Sequence, residues 1–267
     1  MTHKTTDIKK TPDRPGRRGF LSAVAALGAG AVIAPGVMLY QTGKAGAKTD
    51  NLGKPFDNAG KAANPATRWG LLVDTNKCPE NCTVCVSACA RENGLESKGR
   101  PETDAQWIRK VDIKNPSTGR EMSLPVMCQH CSEPPCVDVC PTGASFKRVD
   151  GIVLVDKHTC IGCRYCMMAC PYKARSFIHE TLENQKPTTP RGKGTVESCT
   201  FCVHRIDVGR RPACVEACAR DAGGAMTFGD MNDPNSEISK LLEKYSSQQI
   251  RRDLGTDPGV HYQGLSI

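Results

Sequence analysis

The stretch CIGCRYCMMACP, residues 160–171, decides the fold. It spaces four cysteines as C-x2-C-x2-C-x3-C and ends in Pro171. Three closely spaced thiols can wrap one metal centre from a tight loop in which Gly162 eases the turn, whereas the fourth lies beyond on a short helix and faces away. We therefore expect the fourth thiol to serve a neighbouring centre. The four residues are Cys160, Cys163, Cys166 and Cys170.

The other twelve cysteines fall into three more groups of four, and none of the sixteen is left over. The first group is spaced C-x3-C-x2-C-x3-C, the second C-x2-C-x4-C-x3-C and the fourth C-x2-C-x11-C-x3-C. The second group, like the third, is followed by a proline, here Pro141. These three groups are Cys78, Cys82, Cys85 and Cys89; Cys128, Cys131, Cys136 and Cys140; and Cys199, Cys202, Cys214 and Cys218.

Three kinds of site use cysteine at this density: disulfides, zinc sites and iron–sulfur clusters. Zinc sites usually pair two C-x2-C knuckles and lack a C-x3-C-P tail. Closely spaced C-x2-C-x2-C runs suit disulfide bridges badly. The spacing therefore favours iron–sulfur clusters, and a zinc scaffold is the alternative from a different class.

A repeated unit organises the four groups. The run Leu-Val-Asp that precedes Cys78 by four to six residues recurs at the same distance before Cys160. CVDVC, residues 136–140, has its counterpart in CVEAC, residues 214–218. Each unit holds eight cysteines and begins with a short apolar strand, RWGLLVD or GIVLVD.

The pairing of the groups has two solutions. The repeat alone pairs the first group with the second and the third with the fourth. The residue that follows the last cysteine of each group favours a nested pairing. The second and third groups both end in Cys-Pro, whereas the first and fourth both end in Cys-Ala.

Residues 1–47 have the order of an export signal: a basic region ending in Arg17-Arg18, an uncharged apolar stretch over residues 20–40, and Ala45-Gly46-Ala47. The twin arginines indicate the twin-arginine route. A cluster is built on reduced thiols, so export after folding fits this route. We expect a periplasmic protein, with an uncleaved membrane anchor as the alternative. Five of the eight net positive charges lie in this segment, and no nucleic-acid partner is expected.

No catalytic constellation accompanies the cysteines, and we expect no catalytic residues. His130 and His204 lie beside cysteines and are expected to pack or form hydrogen bonds rather than ligate. Seven basic residues near the groups either offset cluster charge or remain solvated: Lys147, Arg148, Lys173, Arg175, Arg205, Arg210 and Arg211.

The remaining segments are assigned from composition. Residues 48–66 are predicted to be a linker, and residues 184–196 a solvent-exposed loop. Residues 236–246 are predicted to form an amphipathic helix with Ser236 as N-cap. The tail from residue 248 is expected to lie along a partner or lobe surface. The predicted domains are a four-cluster region over 67–230 and a C-terminal helix and tail over 231–267.

From Arg68 to about Leu242 the chain resembles the four-cluster ferredoxin-type subunits of membrane respiratory complexes. The matching text is QHCSEPPCVDVCPTGASFKR, DKHTCIGCRYCMMACPYKAR, ESCTFCVHRIDVGRRPACVEACA and GAMTFGDMNDPNSEISKLL. Within this family, RWGLLVDTNKCPENCTVCVSACARENG most resembles the exported DsrO-type iron–sulfur subunit of the sulfite-reductase-associated DsrMKJOP membrane complex, because its first group has C-x3-C in place of C-x2-C.

The resemblance implies an α+β fold of duplicated bacterial ferredoxin-like lobes, loop-rich and interleaved around four [4Fe–4S] clusters, the first of which could be atypical. It also implies nested ligand sets. Cluster 1 would use Cys78, Cys82, Cys85 and Cys218, and cluster 2 would use Cys199, Cys202, Cys214 and Cys89. Cluster 3 would use Cys128, Cys131, Cys136 and Cys170, and cluster 4 would use Cys160, Cys163, Cys166 and Cys140.

The implied function is non-catalytic electron transfer in dissimilatory sulfur metabolism. The implied partners are a quinone-interacting integral membrane subunit, a multihaem cytochrome and other Dsr subunits, with the twin-arginine translocase acting during export. The alternative is an electron-transfer subunit of an exported molybdopterin oxidoreductase or hydrogenase, in tetrathionate, polysulfide or nitrite-linked systems.

Overall fold

Short strands and helices alternate along the part of the chain that the computed structural model describes, residues 60–183 and 185–265. The predicted signal and most of the predicted linker lie outside these residues. The strands are β1 (Trp69–Asp74), β2 (Ile108–Lys114), β3 (Glu121–Met127), β4 (Ser145–Lys147), β5 (Val153–Val155), β6 (Arg175–Phe177), β7 (Val196–Ser198), β8 (Met226–Asp230), β9 (Ser247–Gln248) and β10 (Val260–Gln263). The helices are α1 (Val84–Asn93), α2 (Pro135–Asp138), α3 (Tyr165–Ala169), α4 (Val203–Ile206), α5 (Ala213–Asp221) and α6 (Glu237–Lys244), with a 3-10 turn at Arg252–Leu254.

The central sheet joins strands that are far apart in the chain, in the order β8–β1–β10–β9. Strand β1 runs antiparallel to β8 and parallel to β10, so that Leu71 lies opposite Phe228 on one side and Val260 on the other. The predicted RWGLLVD strand is confirmed, and its first five residues are all buried. A strand covered on both faces has such a continuous apolar run.

The C-terminal tail is part of this sheet. Val260 and Tyr262 in β10 have no exposed surface, and the Tyr262 hydroxyl donates a hydrogen bond to the Pro125 carbonyl at 3.0 Å. We expected the tail to lie along a surface, but it supplies an inner strand because its alternating apolar residues complete the core beside β1. The central sheet therefore contains strands from both sides of the predicted boundary between residues 230 and 231.

Three two-stranded antiparallel sheets, β2–β3, β4–β5 and β6–β7, surround the loops that carry the cysteines. Helix α1, in the first cysteine group, packs against α5, in the fourth. Helix α2, in the second group, packs against α3, in the third. The outer two groups therefore share one pair of helices and the inner two groups share another.

The predicted amphipathic helix is confirmed as α6, slightly shorter than expected. The Ser236 hydroxyl caps it by accepting a hydrogen bond from the Ser239 amide at 3.1 Å. Ile238 is fully buried against Gly229 in β8, where an added Cβ would lie 3.0 Å from its Cγ2 atom. Among the residues that the structure describes, no helix has the length and apolar character needed to cross a membrane.

The prediction of a solvent-exposed loop over residues 184–196 is wrong in part, because Thr189, Arg191 and Thr195 are buried. The Arg191 guanidinium lies 2.7 Å from the Glu197 carboxylate and donates to the Gly94 carbonyl at 2.6 Å. A paired buried charge of this kind is expensive to break. The segment is thus fastened to the end of α1 and helps to fix the first cysteine group.

Candidate metal centres

The fold brings the sixteen cysteines together as four sets of four, and each set takes three thiols from one sequence group and its fourth from another. All sixteen are free thiols. We give each set the number of the cluster that the resemblance implied for it. Set 1 is Cys78, Cys82, Cys85 and Cys218. Set 2 is Cys89, Cys199, Cys202 and Cys214. Set 3 is Cys128, Cys131, Cys136 and Cys170. Set 4 is Cys140, Cys160, Cys163 and Cys166.

Set 1 lines a small cavity between the start of α1, the end of α5 and Pro125 of β3. Lys110 of β2 points into this region, where its Nζ atom donates a hydrogen bond to Cys78 Sγ at 2.9 Å and a second to the Ser123 carbonyl at 3.3 Å. Sequence reasoning missed Lys110, because it lies 32 residues from Cys78 and only the β2–β3 hairpin brings it to the thiol.

Set 2 lines a small cavity whose other walls are mostly apolar, and all four thiols are buried. One neutral side chain reaches the sulfurs: Asn93 Nδ2 donates to Cys89 Sγ at 3.5 Å. A backbone amide, that of Phe201, donates to Cys199 Sγ at 3.4 Å. The apolar walls are Leu71, Trp107, Ile108, Met127, Phe201, Pro212 and Val215.

Set 3 is also buried at all four positions. Burial, with a smaller contribution from the charges of the nearby Cys136 and Cys170, raises the pKa of Cys128 to about 12 and that of Cys131 to about 11. Arg175 is 5% exposed, and its Nη2 atom donates to Cys136 Sγ at 3.0 Å and to Ser145 Oγ at 2.8 Å.

Set 4 lines a small cavity around the cysteine loop of residues 160–166. Gly162 has φ +71°, and a Cβ there would lie 2.1 Å from the Gly194 carbonyl oxygen, so the predicted need for glycine in this turn is confirmed. Backbone amides of Ser145 and Val196 donate to the sulfurs of Cys140 and Cys160 at 3.3 and 3.5 Å. Cys163 is exposed, unlike the other fifteen cysteines.

Exposed apolar residues flank Cys163 in the sequence. Ile161, Tyr165 and Met168 are 66%, 59% and 73% exposed, respectively. Two cations border them: the Arg164 guanidinium lies 5.0 Å from the centre of the Phe177 ring, and Lys173 Nζ donates to the Met168 carbonyl at 3.5 Å. We call the surface formed by Ile161, Cys163, Tyr165 and Met168 the outer face. Exposed large apolar groups that cluster in this way mark interaction sites.

The four sets neighbour one another in the order 1, 2, 3, 4. Burial is the largest cause of the raised pKa values of Cys214, Cys199 and Cys136. The charge of a thiol in the neighbouring set also raises each of these pKa values. The interacting pairs are Cys85 with Cys214, Cys199 with Cys128, and Cys136 with Cys166. Sets 1 and 4 are therefore the ends of this order, and sets 2 and 3 are its buried middle.

Two stacked rings lie where sets 2 and 3 meet. His130, between Cys128 and Cys131, stacks on Phe201, with ring centroids 3.7 Å apart. The His130 ring is fully buried and its Nδ1 atom accepts a hydrogen bond from the Val153 amide at 3.0 Å. The expectation that His130 packs and forms hydrogen bonds fits this geometry.

The basic residues near the cysteines divide by role. Arg175 alone among the seven singled out from the sequence donates a hydrogen bond to a cysteine sulfur in the described part of the chain. His204 and Arg205 both bind Glu92. The hydrogen bond to His204, together with Arg205, lowers the pKa of the Glu92 carboxyl to about 2, although burial acts in the opposite direction. Arg148 bridges Asp150 and Asp207. Most of these charges therefore stabilise loops instead of contacting sulfur.

The donor groups fit iron–sulfur chemistry. Each set offers four sulfur donors, and amide, ammonium or guanidinium hydrogens point at one or more sulfurs of every set. Such N–H···S contacts are typical of cluster sites. Within residues 60–183 and 185–265, no three His, Cys, Asp or Glu side chains are arranged to hold a single metal ion.

Comparison with known proteins gives consistent results. Residues 120–231 match the family model described as a 4Fe-4S dicluster domain. The chain is 42% identical to the Hdr-like menaquinol oxidoreductase iron-sulfur subunit 1 of Archaeoglobus fulgidus, over 93% of this chain and 98% of that protein. It is 37% identical to one of the subunits of the tetrathionate reductase of Salmonella typhimurium, over 93% and 88% of the two chains. It is 35% identical to Protein NrfC of Escherichia coli, over 92% and 93%.

Proposed function

The chain belongs to the ferredoxin-type family of [4Fe–4S] electron-transfer subunits of respiratory oxidoreductases, and from this premise we propose that it relays electrons along four [4Fe–4S] clusters. Each cluster, when bound, accepts and releases one electron at a potential set by its surroundings. The proposal assigns one cluster to each thiol set, so that clusters 1 to 4 are held by sets 1 to 4.

The observation that carries this proposal is the consecutive order of four thiol sets, each built from three thiols of one group and one of another. The nested thiol sets support the ligand assignment that the family resemblance implies, in which Cys218 serves cluster 1 and Cys89 serves cluster 2. We propose the same assignment for the interleaved lobes: α1 with α5 holds clusters 1 and 2, and α2 with α3 holds clusters 3 and 4.

The protein's own residues insulate the middle of this relay and leave its ends accessible. Every cysteine of sets 2 and 3 is buried, which excludes water from those centres. At one end Cys78 and Cys82 are half-buried, and at the other Cys163 is exposed. Because electrons enter and leave through accessible centres, we propose that clusters 1 and 4 exchange electrons with partner subunits.

We propose that the outer face docks one of these partners, in a membrane complex that oxidises or reduces quinone as part of sulfur metabolism. The relative from Archaeoglobus fulgidus, whose name places it in a menaquinol oxidoreductase, matches nearly the whole chain. In a Dsr-type complex the partners are an integral membrane subunit that interacts with quinone, a multihaem cytochrome and the other complex subunits. A molybdopterin catalytic subunit that co-purifies with the chain would contradict this assignment.

We propose that residues 1–47 direct export of the folded protein through the twin-arginine route, so that the relay works on the periplasmic side of the membrane. The twin arginines and the apolar stretch support the proposal. Replacing Arg17 and Arg18 together by lysine should retain the iron-loaded protein in the cytoplasm, as measured by cell fractionation. Periplasmic recovery of this variant at the wild-type level would contradict the twin-arginine route.

The relay itself is tested by anaerobic isolation of the protein with its partners, followed by iron and acid-labile sulfide analysis and potential-poised EPR. Four clusters predict about sixteen irons and about sixteen sulfides per chain, and four redox-active EPR species. Zinc without iron and sulfide would instead identify the scaffold alternative. About twelve irons would show that one centre is absent, and a count between about twelve and about sixteen would show that one centre is smaller, with set 1 and its C-x3-C spacing the first suspect.

A further inference from the structure

We propose that cluster 2 has the lowest reduction potential of the four, and that Lys110 and Arg175 hold the potentials of clusters 1 and 3 above it. The inference deepens the proposed relay and rests on it. It concerns the reduction potential of each cluster in the relay, which depends on the side chains around each thiol set.

The physical basis is the charge that reduction adds. A reduced cluster carries one more negative charge than an oxidised one, so a cation or a hydrogen-bond donor at its sulfurs stabilises the reduced form and raises the potential. Apolar burial works in the opposite direction, because a low-dielectric environment disfavours the more highly charged form. The four sets differ strongly in these two respects.

Set 1 has a cation in direct contact. Lys110 Nζ lies 2.9 Å from Cys78 Sγ, and the Ser123 carbonyl at 3.3 Å holds the ammonium in place. Charged hydrogen bonds of this length are roughly twice as strong as neutral ones. Lys110 is half-buried, so water screens its charge less than that of an exposed lysine.

Arg175 serves set 3 and faces set 4. Its guanidinium is buried, with Nη2 at 3.0 Å from Cys136 Sγ, and the charge of Cys166 in set 4 also acts on it. Its Nε and Nη1 atoms are buried and have no hydrogen-bond partner among the described residues. Two unpartnered donors on a buried cation between two thiol sets indicate that the guanidinium is directed at the sulfur-lined space.

Set 2 has no such cation. Its sulfurs receive hydrogen bonds from the neutral Asn93 amide and from the Phe201 backbone, and its other walls are mostly apolar. The charge of Arg205 reaches Cys202, but Arg205 is paired with the carboxylates of Glu92 and Glu216, and the charge of Glu92 acts on Cys202 in the opposite direction. Within the described part of the chain, therefore, no lysine or arginine donates a hydrogen bond to a sulfur of set 2.

The arrangement implies that the reduction potential falls from cluster 1 to cluster 2 and rises again at cluster 3. At a solution potential that reduces clusters 1 and 3, cluster 2 remains largely oxidised. Cluster 2 is therefore reduced only transiently when an electron passes between clusters 1 and 3. The same profile applies to flow in either direction.

The test is a potential-poised EPR titration of the full iron-loaded protein and its variants. Asn93→Leu removes the amide donor at set 2 and should move only the lowest-potential signal, further downward. Lys110→Met and Arg175→Gln should each lower a different, higher signal by about tenfold in its reduction equilibrium constant, which is about 59 mV for one electron. Arg175→Gln should also lower the signal of cluster 4, by less.

The controls separate charge from packing. Lys110→Arg and Arg175→Lys keep the cation and should keep the potentials near wild type. Lys114→Met removes a cation from the exposed end of β2, where Lys114 pairs with Glu121, and should move no signal. A variant that loses iron still informs the test at Asn93, because the signal that disappears identifies cluster 2.

The inference is overturned if Asn93→Leu moves or removes a signal other than the lowest, or if Lys110→Met leaves every potential unchanged in a fully loaded protein. Either result leaves the relay standing, because four clusters would still be present and redox-active. Failure of the relay gives a different result: the wild-type protein would lack the iron, the sulfide or the four signals.

Discussion

Replacing Cys218 by alanine should remove or convert the cluster built on Cys78, Cys82 and Cys85, while the cluster built on Cys199, Cys202 and Cys214 keeps its spectrum. The reason is the placement of α5, on which Cys214 and Cys218 lie one helical turn apart. One turn separates neighbouring side chains by about 5–6 Å. Cys214 thus lines the cavity of set 2, and Cys218 that of set 1.

The expected loss is large, because a cluster deprived of one of its four thiols loses up to four of about sixteen irons. Iron analysis and EPR of the anaerobically purified variant measure it. The matched variant is Cys89→Ala on the facing helix α1, which should instead perturb the cluster on the fourth group. If Cys218→Ala disturbs the fourth-group cluster alone, the nested assignment is wrong.

Placing a carboxylate on the outer face should uncouple the protein from its partner without harming the clusters. Met168 is 73% exposed and lies five residues after Cys163 in the same cysteine group. In Met168→Glu the docked complex would have to bury a charge where the wild type buries a thioether. Interface anchors cost about 2 kcal/mol or more when removed, which is at least about a thirtyfold loss of affinity. Electron exchange with the partner complex should fall accordingly, as measured by stopped-flow reduction.

Two measurements make this result specific. Iron content and the EPR titration of Met168→Glu should match the wild type, which shows that the relay is intact. Val149→Glu adds the same charge at a residue that is 61% exposed, on the turn between β4 and β5, and should leave electron exchange unchanged. Normal exchange in Met168→Glu would mean that the partner docks elsewhere.

The local features of the site are readable from the sequence because they depend on neighbours in the chain. The glycine in the loop of set 4, the Ser236 cap of α6 and the strand before Cys78 follow from spacing and side-chain chemistry within a few residues. The tails of the cysteine groups even favour the nested pairing. In the first three of these cases the interaction that decides the structure is short-range, whereas the nested pairing joins thiols far apart in the chain, such as Cys78 and Cys218.

The features that sequence reasoning missed all depend on long-range contacts. Lys110 reaches Cys78 because the β2–β3 hairpin folds over set 1, and Arg191 is buried because its loop meets Glu197 and the end of α1. Neither residue carries a local signal, since an isolated lysine or arginine in a polar stretch is ordinarily solvated. The inner position of β10 was missed for the same reason, because strand partners are chosen by the whole core.

The central sheet also constrains the order in which the molecule is assembled. Strand β1 precedes every cysteine and β10 follows every one, yet the two are adjacent strands, with Leu71 beside Val260. The sheet cannot close until all sixteen thiols have left the ribosome. Bringing such distant segments together costs entropy, and each cluster that ties two loops shortens the distance left to span. We therefore expect β1 to pair with β10 late in folding, and most readily in a chain that already holds its clusters.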